Sequence, residues 1–568
     1  MNKKSFIFIL IFGLLNFFYP IYSYAYPSNA MVKVGIMDQK YTTTEKSEIS
    51  VYSTSEMILT DLKTKEELGR IPPNTELKIS RVNNKYELYY IEPLTEIEMG
   101  AELEDDFILS SPDGILGISN LIRGGKSAQY RGDFRIISVP DKSDKFYLIN
   151  CLDVEDYLKG VVPSEMPVGF GLEALKSQAI AARVYSLTPR TKTVRAYDVV
   201  DSVASQVYYG YNRESDIANK AIDETHGLVA LHNDEMIVAV FCSTAGGYTE
   251  SYSNTFSDPT TQQFPSPERK YLISTPDLPE IKPLNNEEDA FNFYSTKPQS
   301  YDIQSPLYRW TKTWSKEELQ KVLKSTLIVQ SKTGFVEPKL LKSEDFGNLK
   351  RINVTKRGAS GKIITMEIVT DKNTFTIGKE LVIRRIFQKE GKALPSANVV
   401  FKYKKNNEII KLSDNSNKTT ADFDEIVAYG GGFGHGCGLS QFGAKYMAQT
   451  CKLPFDTILK HYYNGIELGT KPVEVGKNSV NISFFQPFEK AFLVIPKRNN
   501  IKLLTMNING EDYCFNLGET TRSETDISKY IKTNDMNIIT VYGFGESSHN
   551  KKHPVPEQKI KLYIKVIR

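Results

Sequence analysis

Short stretches in which apolar and polar residues alternate constrain the fold of this chain more than any other sequence feature. Such alternation over 76–81, 85–90, 130–137 and 145–152 predicts strands, and 351–370 and 382–387 also have strand character. The last strand shows the pattern most clearly: Lys559, Ile560, Lys561, Leu562, Tyr563, Ile564, Lys565, Val566. Because successive side chains of a strand point to opposite faces, the sequence predicts a mostly antiparallel β framework with half-buried strands.

Two stretches have helical spacing instead. Gly171–Leu187 places apolar side chains near one face and is followed by Pro189. Ser315–Leu327 begins with Ser315 and carries Glu318 three residues later, which is a capping-box pattern. The predicted fold class is therefore α+β, with one long helix beside a cleft.

Composition limits the classes of function. At 568 residues the chain has room for about two to four domains of roughly 150 residues each. Apolar residues make up 40% and charged residues 24%, which is ordinary for a globular protein. The 71 basic and 68 acidic residues leave a net charge of +3. This balance excludes a disordered chain and a dedicated nucleic-acid binder.

Residues 1–25 have the pattern of a secretory signal peptide. Lys3 and Lys4 precede an apolar run over Phe6–Tyr19, and small residues at Ser23 and Ala25 provide a cleavage site. A retained N-terminal membrane anchor is the alternative, although the run is shorter than the roughly 20 residues that span a bilayer. Either interpretation places the functional part outside the cytoplasm.

The first candidate for chemistry is Glu165, which lies between Pro163 and Pro167. Proline restricts its own backbone and that of the preceding residue, so a carboxyl group here is held in few conformations. In an apolar pocket, such a glutamate can donate and later accept a proton. The structural alternative is a turn before a helix, with the glutamate facing solvent or the helix dipole.

The second candidate is the segment 429–443, which contains seven glycines in fifteen residues. Its spacing departs from the G-x-G-x-x-G pattern of dinucleotide-binding loops. Exposed backbone N–H and C=O groups would suit the hydroxyl and acetamido groups of sugars. A tight turn between packed strands explains the same glycines without any ligand.

The third candidate combines Cys242, His435 and Cys437. Residues at positions i and i+2 of an extended segment face the same way, so these three could supply zinc ligands. They could equally supply a thiol nucleophile and its base. The chain has five cysteines, and an odd number leaves at least one without a disulfide partner.

Taken in order, these segments resemble the SpoIID/LytB family of bacterial cell-wall proteins over roughly residues 32–470. The matching blocks are Asp156–Gly160 with Pro163–Pro167 (D-Y-L-x-G, then the E-M-P block), Gln178–Arg183 (Q-A-I-A-A-R), Gln206 with Tyr208 and Gly210 (Q-x-Y-x-G), Ser243–Gly247 (S-T-x-G-G), Arg357–Lys362 (R-G-x-S-G-R, with lysine last), Leu394–Ser396, and Gly434–Gln441 (G-H-G-x-G-M-S-Q, with leucine for methionine).

The resemblance implies an activity and a set of site residues. Sporulation members of the family are lytic transglycosylases that cut peptidoglycan glycan strands stripped of stem peptides, and the glutamate of their E-M-P block is the acid/base. This implies that Glu165 is catalytic and that no cofactor is required. A structural zinc at Cys242, His435 and Cys437 is carried over only as an option. The residues that it implies for substrate binding, either by sugar contact or by shaping the pocket, are Arg183, Gln178, Tyr208, Ser243, His435, Ser440 and Gln441.

The resemblance also implies a domain organisation. Residues 26–125 are expected to form the N-terminal β-rich part of the SpoIID-like region. Residues 126–470 are expected to form its catalytic part, in which 255–425 makes a second lobe across the cleft. Residues 471–568 lie outside the resemblance and are predicted to be a separate β module of unknown role.

Two other functions remain open at this point. Some relatives enhance an N-acetylmuramoyl-alanine amidase without cutting glycans, so the chain could be a non-catalytic enhancer with a cell-wall amidase as its partner. A zinc- or thiol-dependent hydrolase around Cys242 and His435 is the third interpretation. The first two place the protein outside the cell or at the cell wall, acting in sporulation, germination or wall remodelling.

Overall fold

The computed structural model describes residues 30–91, 98–188, 196–410, 423–476, 478–497, 503–517, 522–545 and 559–568. The predicted signal peptide, residues 1–25, lies outside these ranges. None of the helices within them is both long and apolar enough to cross a membrane. All five cysteines lie within them, and none forms a disulfide.

Eight α-helices lie in the described part of the chain: α1 (Val154–Glu165), α2 (Leu172–Leu187), α3 (Asp216–Asp223), α4 (Glu287–Tyr294), α5 (Lys316–Gln330), α6 (Glu380–Ile386), α7 (Gln441–Gln449) and α8 (Phe455–Tyr462). Helices α2 and α5 confirm the two predicted helices. The Ser315 hydroxyl caps α5 by accepting a hydrogen bond from the Glu318 N–H at 3.1 Å.

Two helices depart from the sequence predictions. The strand predicted over 382–387 is wrong, because these residues form most of α6. The apolar side chains of Val382, Ile383 and Ile386 are buried there at helical spacing. Helix α1 was not predicted, since Pro163 lies inside its last turn and proline ordinarily argues against a helix.

The strands are short, and thirty-five of them lie in the described ranges. In chain order they are β1 (Met31–Gly35), β2 (Glu45–Lys46), β3 (Glu48–Tyr52), β4 (Met57–Asp61), β5 (Glu67–Ile71), β6 (Glu76–Val82), β7 (Lys85–Ile91), β8 (Glu98–Leu103), β9 (Phe107–Ser110), β10 (Leu116–Arg123), β11 (Lys126–Tyr130), β12 (Asp133–Ser138), β13 (Phe146–Asp153), β14 (Val199–Val200), β15 (Leu228–His232), β16 (Glu235–Met236), β17 (Phe241–Cys242) and β18 (Trp310–Ser315). They continue as β19 (Val336–Glu337), β20 (Leu349–Arg357), β21 (Ile363–Thr370), β22 (Thr374–Gly378), β23 (Val399–Lys405), β24 (Glu408–Ile410), β25 (Glu425–Gly430), β26 (Leu439–Ser440), β27 (Glu467–Thr470), β28 (Val473–Val475), β29 (Val480–Phe485), β30 (Lys490–Ile495), β31 (Leu503–Ile508), β32 (Glu511–Asn516), β33 (Ser523–Asp526), β34 (Met536–Gly545) and β35 (Ile560–Ile567).

The sheets are mostly antiparallel, as the alternating pattern predicted. Three larger sheets have the orders β14-β1-β13-β12-β9-β4-β5, with β2 beside β13; β11-β10-β3-β6-β7-β8; and β16-β15-β27-β35-β30-β33, with β28 beside β35. Smaller sheets are β18-β25-β23-β24, β19-β22-β21-β20 and β29-β34-β31-β32. Within the described ranges, only β1 with β14 and β17 with β26 pair in parallel. The fold class is therefore mixed α+β, as expected.

The prediction that residues 471–568 form a separate module is wrong. Strand β35 pairs with β27 on one side and with β30 on the other, so the C-terminal segment completes a sheet that begins at β15. Its alternating pattern predicted one exposed face, yet Tyr563 and Lys565 are also buried. Position in the middle of a sheet, which the sequence does not reveal, explains the difference.

Buried apolar side chains form two large clusters. The main cluster draws on residues from Val32 to Val566 and includes helices α1, α2, α3, α7 and α8. The second cluster draws on residues from Trp310 to Ala428 and packs α5 and α6 against their sheets. This second core falls inside the stretch 255–425 that was predicted to form a second lobe, apart from its last two members, Ile426 and Ala428.

Candidate functional site

Helix α1 places Glu165 at its C-terminal end. The Asp153 carboxylate caps the other end by accepting a hydrogen bond from the Glu155 N–H at 2.7 Å. The helix ends after Glu165 because Met166 precedes Pro167 and adopts an extended conformation, with φ −124° and ψ 126°. The two prolines thus do restrict this segment, although Pro163 does so from within the helix.

The carboxyl group of Glu165 is largely removed from water but not sealed off from it. Its Oε1 accepts a hydrogen bond from the Val207 N–H at 2.5 Å. Within the described ranges no lysine, arginine or histidine forms an ion pair with it. Burial raises the pKa of Glu165 to about 7, and the Val207 hydrogen bond only partly opposes that rise. The carboxyl group can therefore gain and lose a proton near neutral pH.

The location at a helix C-terminus acts in the same direction. The last carbonyl groups of a helix carry partial negative charge, which disfavours a second negative charge beside them. A carboxylate at the C-terminus of α1 gains no help from the helix dipole, in contrast to Glu155 and Asp156 in the first turn. The protein thus holds this acid where its neutral form is favoured, which is the environment that the general acid interpretation requires.

Tyr208 lies in the core rather than in a cleft. Its side chain is 1% exposed, and its hydroxyl donates a hydrogen bond to Asn150 Oδ1 at 2.8 Å. Its ring packs against Tyr157 and Tyr130. A Cβ at Gly160 would lie 2.5 Å from the Tyr208 ring, so this glycine lets the segment after Gln206 approach α1 closely. Of the two roles predicted for Tyr208, this burial favours pocket shape over sugar contact, and the role stays a prediction.

Arg183 is likewise committed to the interior. Its guanidinium group forms two hydrogen bonds with the Glu155 carboxylate, at 2.8 and 2.6 Å, and a third with the Leu228 carbonyl at 2.9 Å. The side chain is 1% exposed. The interaction with Arg183 holds the pKa of Glu155 below its usual value despite burial. Arg183 therefore joins α1, α2 and β15. Of the two roles predicted for it, this burial favours pocket shape over sugar contact, and the role stays a prediction.

Gln178, Ser440 and Gln441 connect helix α2 to helix α7. The Gln441 amide donates to Gln178 Oε1 at 3.3 Å, and both residues are buried. The Ser440 hydroxyl caps α7 by accepting from the Gly443 N–H, and it also accepts from the Ala245 N–H. These contacts hold α2, α7 and the Ser243–Gly247 turn together, and the predicted roles of the three residues in sugar binding or pocket shape stay predictions. The Gln178 Nε2 group is buried and has no hydrogen-bond partner among the residues described.

Ser243 and His435 are the two predicted binding residues that retain partial exposure. They lie on neighbouring segments, because Thr244 and Phe433 exchange backbone hydrogen bonds at 3.2 and 2.8 Å. Phe433 is 44% exposed, which is unusual for an aromatic side chain and was not identified from the sequence. Its only sequence signal is a large apolar residue between two glycines. Roles in substrate binding for Ser243 and His435 stay predictions.

The residues predicted to bind zinc do not fit that role in this arrangement. His435 Nδ1 accepts a hydrogen bond from the Cys437 N–H at 3.1 Å, and the ring also hydrogen-bonds the backbone of Phe241, so both ring nitrogens are engaged. The buried ammonium of Lys362 donates to the His435 carbonyl and places a positive charge nearby. Across the described ranges, no three His, Cys, Asp or Glu side chains are grouped to hold a metal.

The same burial disfavours a thiol nucleophile. It raises the pKa of Cys242 to about 12 and that of Cys437 further, although Lys362 opposes both shifts. Both thiols therefore remain protonated at neutral pH, and neither is prepared to attack a substrate. His435 is a poor base for them as well, since burial and Lys362 lower its pKa to about 3.

Sequence reasoning missed the polar network that holds the glycine-rich segment in place. The buried Glu250 carboxylate accepts hydrogen bonds from the hydroxyls of Ser274 and Ser360, each at 2.7 Å. The backbone N–H of Glu250 donates to the Gly436 carbonyl at 2.7 Å. The charge of Lys362 helps to keep the pKa of Glu250 low. Only the motif Arg357–Lys362 hinted at these contacts.

Together these observations define the class of protein. It is a mixed α+β protein with one partly buried, proton-binding glutamate at the end of a helix. Buried hydrogen bonds join α2, α7, the Ser243–Gly247 turn and the glycine-rich segment.

Part of the chain is similar to the SpoIID family. The family described as stage II sporulation protein matches residues 142–232, which include α1, Glu165 and α2. A domain of unknown function, DUF8618, matches residues 253–438.

Named relatives are also similar to this chain over part of its length. The amidase enhancer of Bacillus subtilis (strain 168) is 30% identical over 320 residues, which cover 55% of this chain but only 40% of that protein. Stage II sporulation protein D of Bacillus amyloliquefaciens is 27% identical over 366 residues, covering 62% of this chain and 84% of the relative. The corresponding protein of Bacillus subtilis (strain 168) is 27% identical over 348 residues, covering 58% and 79%.

Proposed function

We propose that this protein is a peptidoglycan lytic transglycosylase in which Glu165 is the single acid and base. The observation that carries the proposal is the raised pKa of Glu165. Among the residues described, only the Val207 N–H stabilises this partly exposed carboxyl group as an anion. At a pKa of about 7 the group is present in both protonation states under physiological conditions.

One carboxyl group is enough for this reaction. Protonated Glu165 donates its proton to the glycosidic oxygen as the bond to the muramic acid C1 breaks. The resulting carboxylate then removes the proton from the C6 hydroxyl of the same sugar, and that oxygen bonds to C1. The product is a 1,6-anhydro end. Because the nucleophile belongs to the substrate, no second carboxylate is needed to activate water or to form a covalent intermediate.

The proposed substrate is a glycan strand stripped of its stem peptides. We place it in a cleft between the main core and the second lobe, where the partly exposed Ser243 and His435 would contact it. The likeness to the SpoIID family model and the predicted signal peptide support a location outside the cell or at the cell wall. The process served would be sporulation, germination or wall remodelling.

A direct test is mass spectrometry of peptide-free glycan strands incubated with the protein and with Glu165→Gln. The exposed Glu268 provides a matched control, because Glu268→Gln makes the same chemical change on the surface. We expect anhydro-ended fragments from the unmodified protein and from Glu268→Gln, and none from folded Glu165→Gln. Equal cleavage by folded Glu165→Gln would refute the assignment of the acid.

A second candidate function is non-catalytic enhancement of a cell-wall amidase. The name of the relative that is 30% identical supports it. This function predicts that the protein accelerates peptide release by an N-acetylmuramoyl-alanine amidase and that Glu165→Gln does so equally well. Stimulation without any anhydro-ended product would replace the transglycosylase proposal with this one.

A further inference from the structure

Two buried carboxyl groups, those of Asp277 and Asp302, lie next to the Ser243–Gly247 turn. The hydroxyl group of Ser300 lies between them. Ser300 Oγ is 2.6 Å from Asp277 Oδ2 and 2.9 Å from Asp302 Oδ1. Asp277, Ser300 and Asp302 are each no more than 2% exposed. No sequence motif draws attention to these three residues, and they take no part in the proposed reaction.

Counting hydrogens shows that these two contacts need an additional proton. Both distances are hydrogen-bond distances between oxygens, but the Ser300 hydroxyl has only one proton to donate. If both carboxyl groups were ionised, one carboxylate oxygen would face a lone pair of Ser300 Oγ with no proton between them, and the two oxygens would repel each other. A proton on one carboxyl group removes this conflict, because that group then donates to Ser300 Oγ while Ser300 donates to the other.

The surrounding charges agree with one proton for the pair. The Arg309 guanidinium donates to the carbonyls of Gly246, Tyr308 and Thr296 and has no carboxylate contact among the residues described. Its charge nevertheless acts on Asp302. A singly protonated pair carries one negative charge, which matches this one cation. Two ionised groups would leave a buried negative charge without compensation, which is costly.

Asp302 is also the group that connects two parts of the site. Its Oδ2 accepts a hydrogen bond from the Gly246 N–H at 2.8 Å and one from the Ser440 hydroxyl at 3.4 Å. Gly246 belongs to the Ser243–Gly247 turn, and Ser440 caps helix α7. Gly246 adopts φ +91° and lies so close to Gly431 that a Cβ would reach 2.9 Å from its carbonyl carbon. Asp302 thus holds the turn where it packs against the glycine-rich segment.

We propose that Asp302 is a positioning residue for the turn Ser243–Gly247 and the start of α7, and that it acts as one half of a carboxyl pair with Asp277 that shares a single proton through Ser300. The assignment concerns the architecture of the site and does not depend on which reaction the site performs.

Burial and the neighbouring Asp277 raise the pKa of Asp302 to about 7. The other groups that face the pair are Arg309, Tyr301, Tyr308, Tyr462, Cys242 and His461. Burial raises the phenol and thiol pKa values of the four acids among them, so these groups stay neutral. His461 Nε2 lies 3.9 Å from Asp277 Oδ1 and needs its own control.

The folded protein keeps the Asp302 proton up to a pH of about 7, whereas the unfolded chain releases it near 4. Folding stability should therefore fall as the pH rises through this window. Asn in place of Asp302 imitates the protonated acid, because its amide can donate to Ser300 while its oxygen accepts from Gly246. Ala can do neither. The comparison of these two variants separates a proton-sharing pair from an ordinary buried anion.

The experiment is chemical denaturation of Asp302→Asn and Asp302→Ala at pH 5 and pH 8 in a Glu165→Gln background, which removes the titration of Glu165. The His461→Gln variant excludes a contribution from the His461 side chain. The variants Asp113→Asn and Asp113→Ala make the same changes at an exposed position and serve as controls. We expect Asp302→Asn to unfold at the same or higher denaturant concentration than its parent at pH 8 and to show less decline between the two pH values. Asp302→Ala should be less stable than Asp302→Asn at both. Equal destabilisation by Asn and Ala at pH 8 would overturn the proposal.

Hydrogen exchange followed by mass spectrometry tests the positioning role separately. We expect Asp302→Ala to speed exchange in peptides that cover 243–247 and 440–445, and Asp302→Asn to restore protection there. Unchanged exchange of these peptides in folded Asp302→Ala would refute the positioning role. Because neither measurement uses glycan cleavage, failure of the transglycosylase proposal would leave both results interpretable.

Discussion

Replacing Glu165 with glutamine should make the folded protein more stable at high pH, because the site holds this acid in an environment that suits its neutral form. The folded state raises the pKa of Glu165 from 4.5 to about 7. A group with a raised pKa keeps its proton in the folded state while the unfolded chain has released it. The stability of the unmodified protein therefore declines as the pH rises from about 4.5 to 7, and the loss is complete above that range.

The size of the effect follows from the same shift. At about 1.4 kcal/mol for each pKa unit, the full shift corresponds to roughly 3 kcal/mol. Glu165 is partly exposed, and solvent screening reduces this value, so we expect about 1–2 kcal/mol. The amide of glutamine carries no charge and can still accept the hydrogen bond from the Val207 N–H. Glu165→Gln should therefore gain this amount at pH 8.5 and almost nothing at pH 4.5.

Urea denaturation at the two pH values measures the difference directly, with Glu268→Gln as the surface control. The comparison between variant and parent cancels the contribution of every other titrating group, including Asp302. A Glu165→Gln variant that is no more stable than its parent at pH 8.5, or that is equally stabilised at both pH values, would refute the reasoning. The result would then show that Glu165 is ionised in the folded protein without a penalty.

Three further predictions concern other parts of the molecule. Arg183→Met should lower the free energy of unfolding by about 3–5 kcal/mol, because it leaves the buried Glu155 carboxylate without its cation. A double variant that also carries Glu155→Leu should recover much of this loss in the same denaturation assay. If the double variant recovers nothing, the explanation is wrong. In the folded protein, a thiol reagent should modify the exposed Cys451 and Cys514 quickly and the three buried cysteines only on unfolding, as counted by mass spectrometry. Elemental analysis of the purified protein should find no equimolar zinc, and one tightly held zinc per chain would show that the ligand set rearranges from the geometry described here.

Several features of the fold were accessible from local pattern alone. The strands 76–82 and 85–91 and the helices α2 and α5 follow from spacing and capping signals, which depend on neighbouring residues. The helix over Glu380–Ile386 was missed because a run of β-branched and apolar residues reads equally well as a buried strand. Helix α1 was missed because Pro163 argued against it, although the helix tolerates this proline in its last turn.

The site shows the same division. The E-M-P block pointed to Glu165, and the structure adds the burial and the single hydrogen bond that raise its pKa. Pattern could not tell which of the other motif residues would be accessible. Arg183 and Tyr208 belong to matching motifs yet face inward, because their partners Glu155 and Asn150 are brought to them by the packing of α1, α2 and β13.

The sequence by itself therefore determined features that depend on neighbouring residues, namely the α+β class and the alternating strands. Its resemblance to a family also pointed to one glutamate, Glu165. What the tertiary structure alone decided depends on residues far apart in the chain. Strand β35 joins a sheet begun more than three hundred residues earlier, and Asp277, Ser300 and Asp302 meet the turn at Gly246 only in the folded state. The burial, charge compensation and pKa of a group depend on such tertiary contacts, because distant parts of the chain exclude water from the group and place charges next to it.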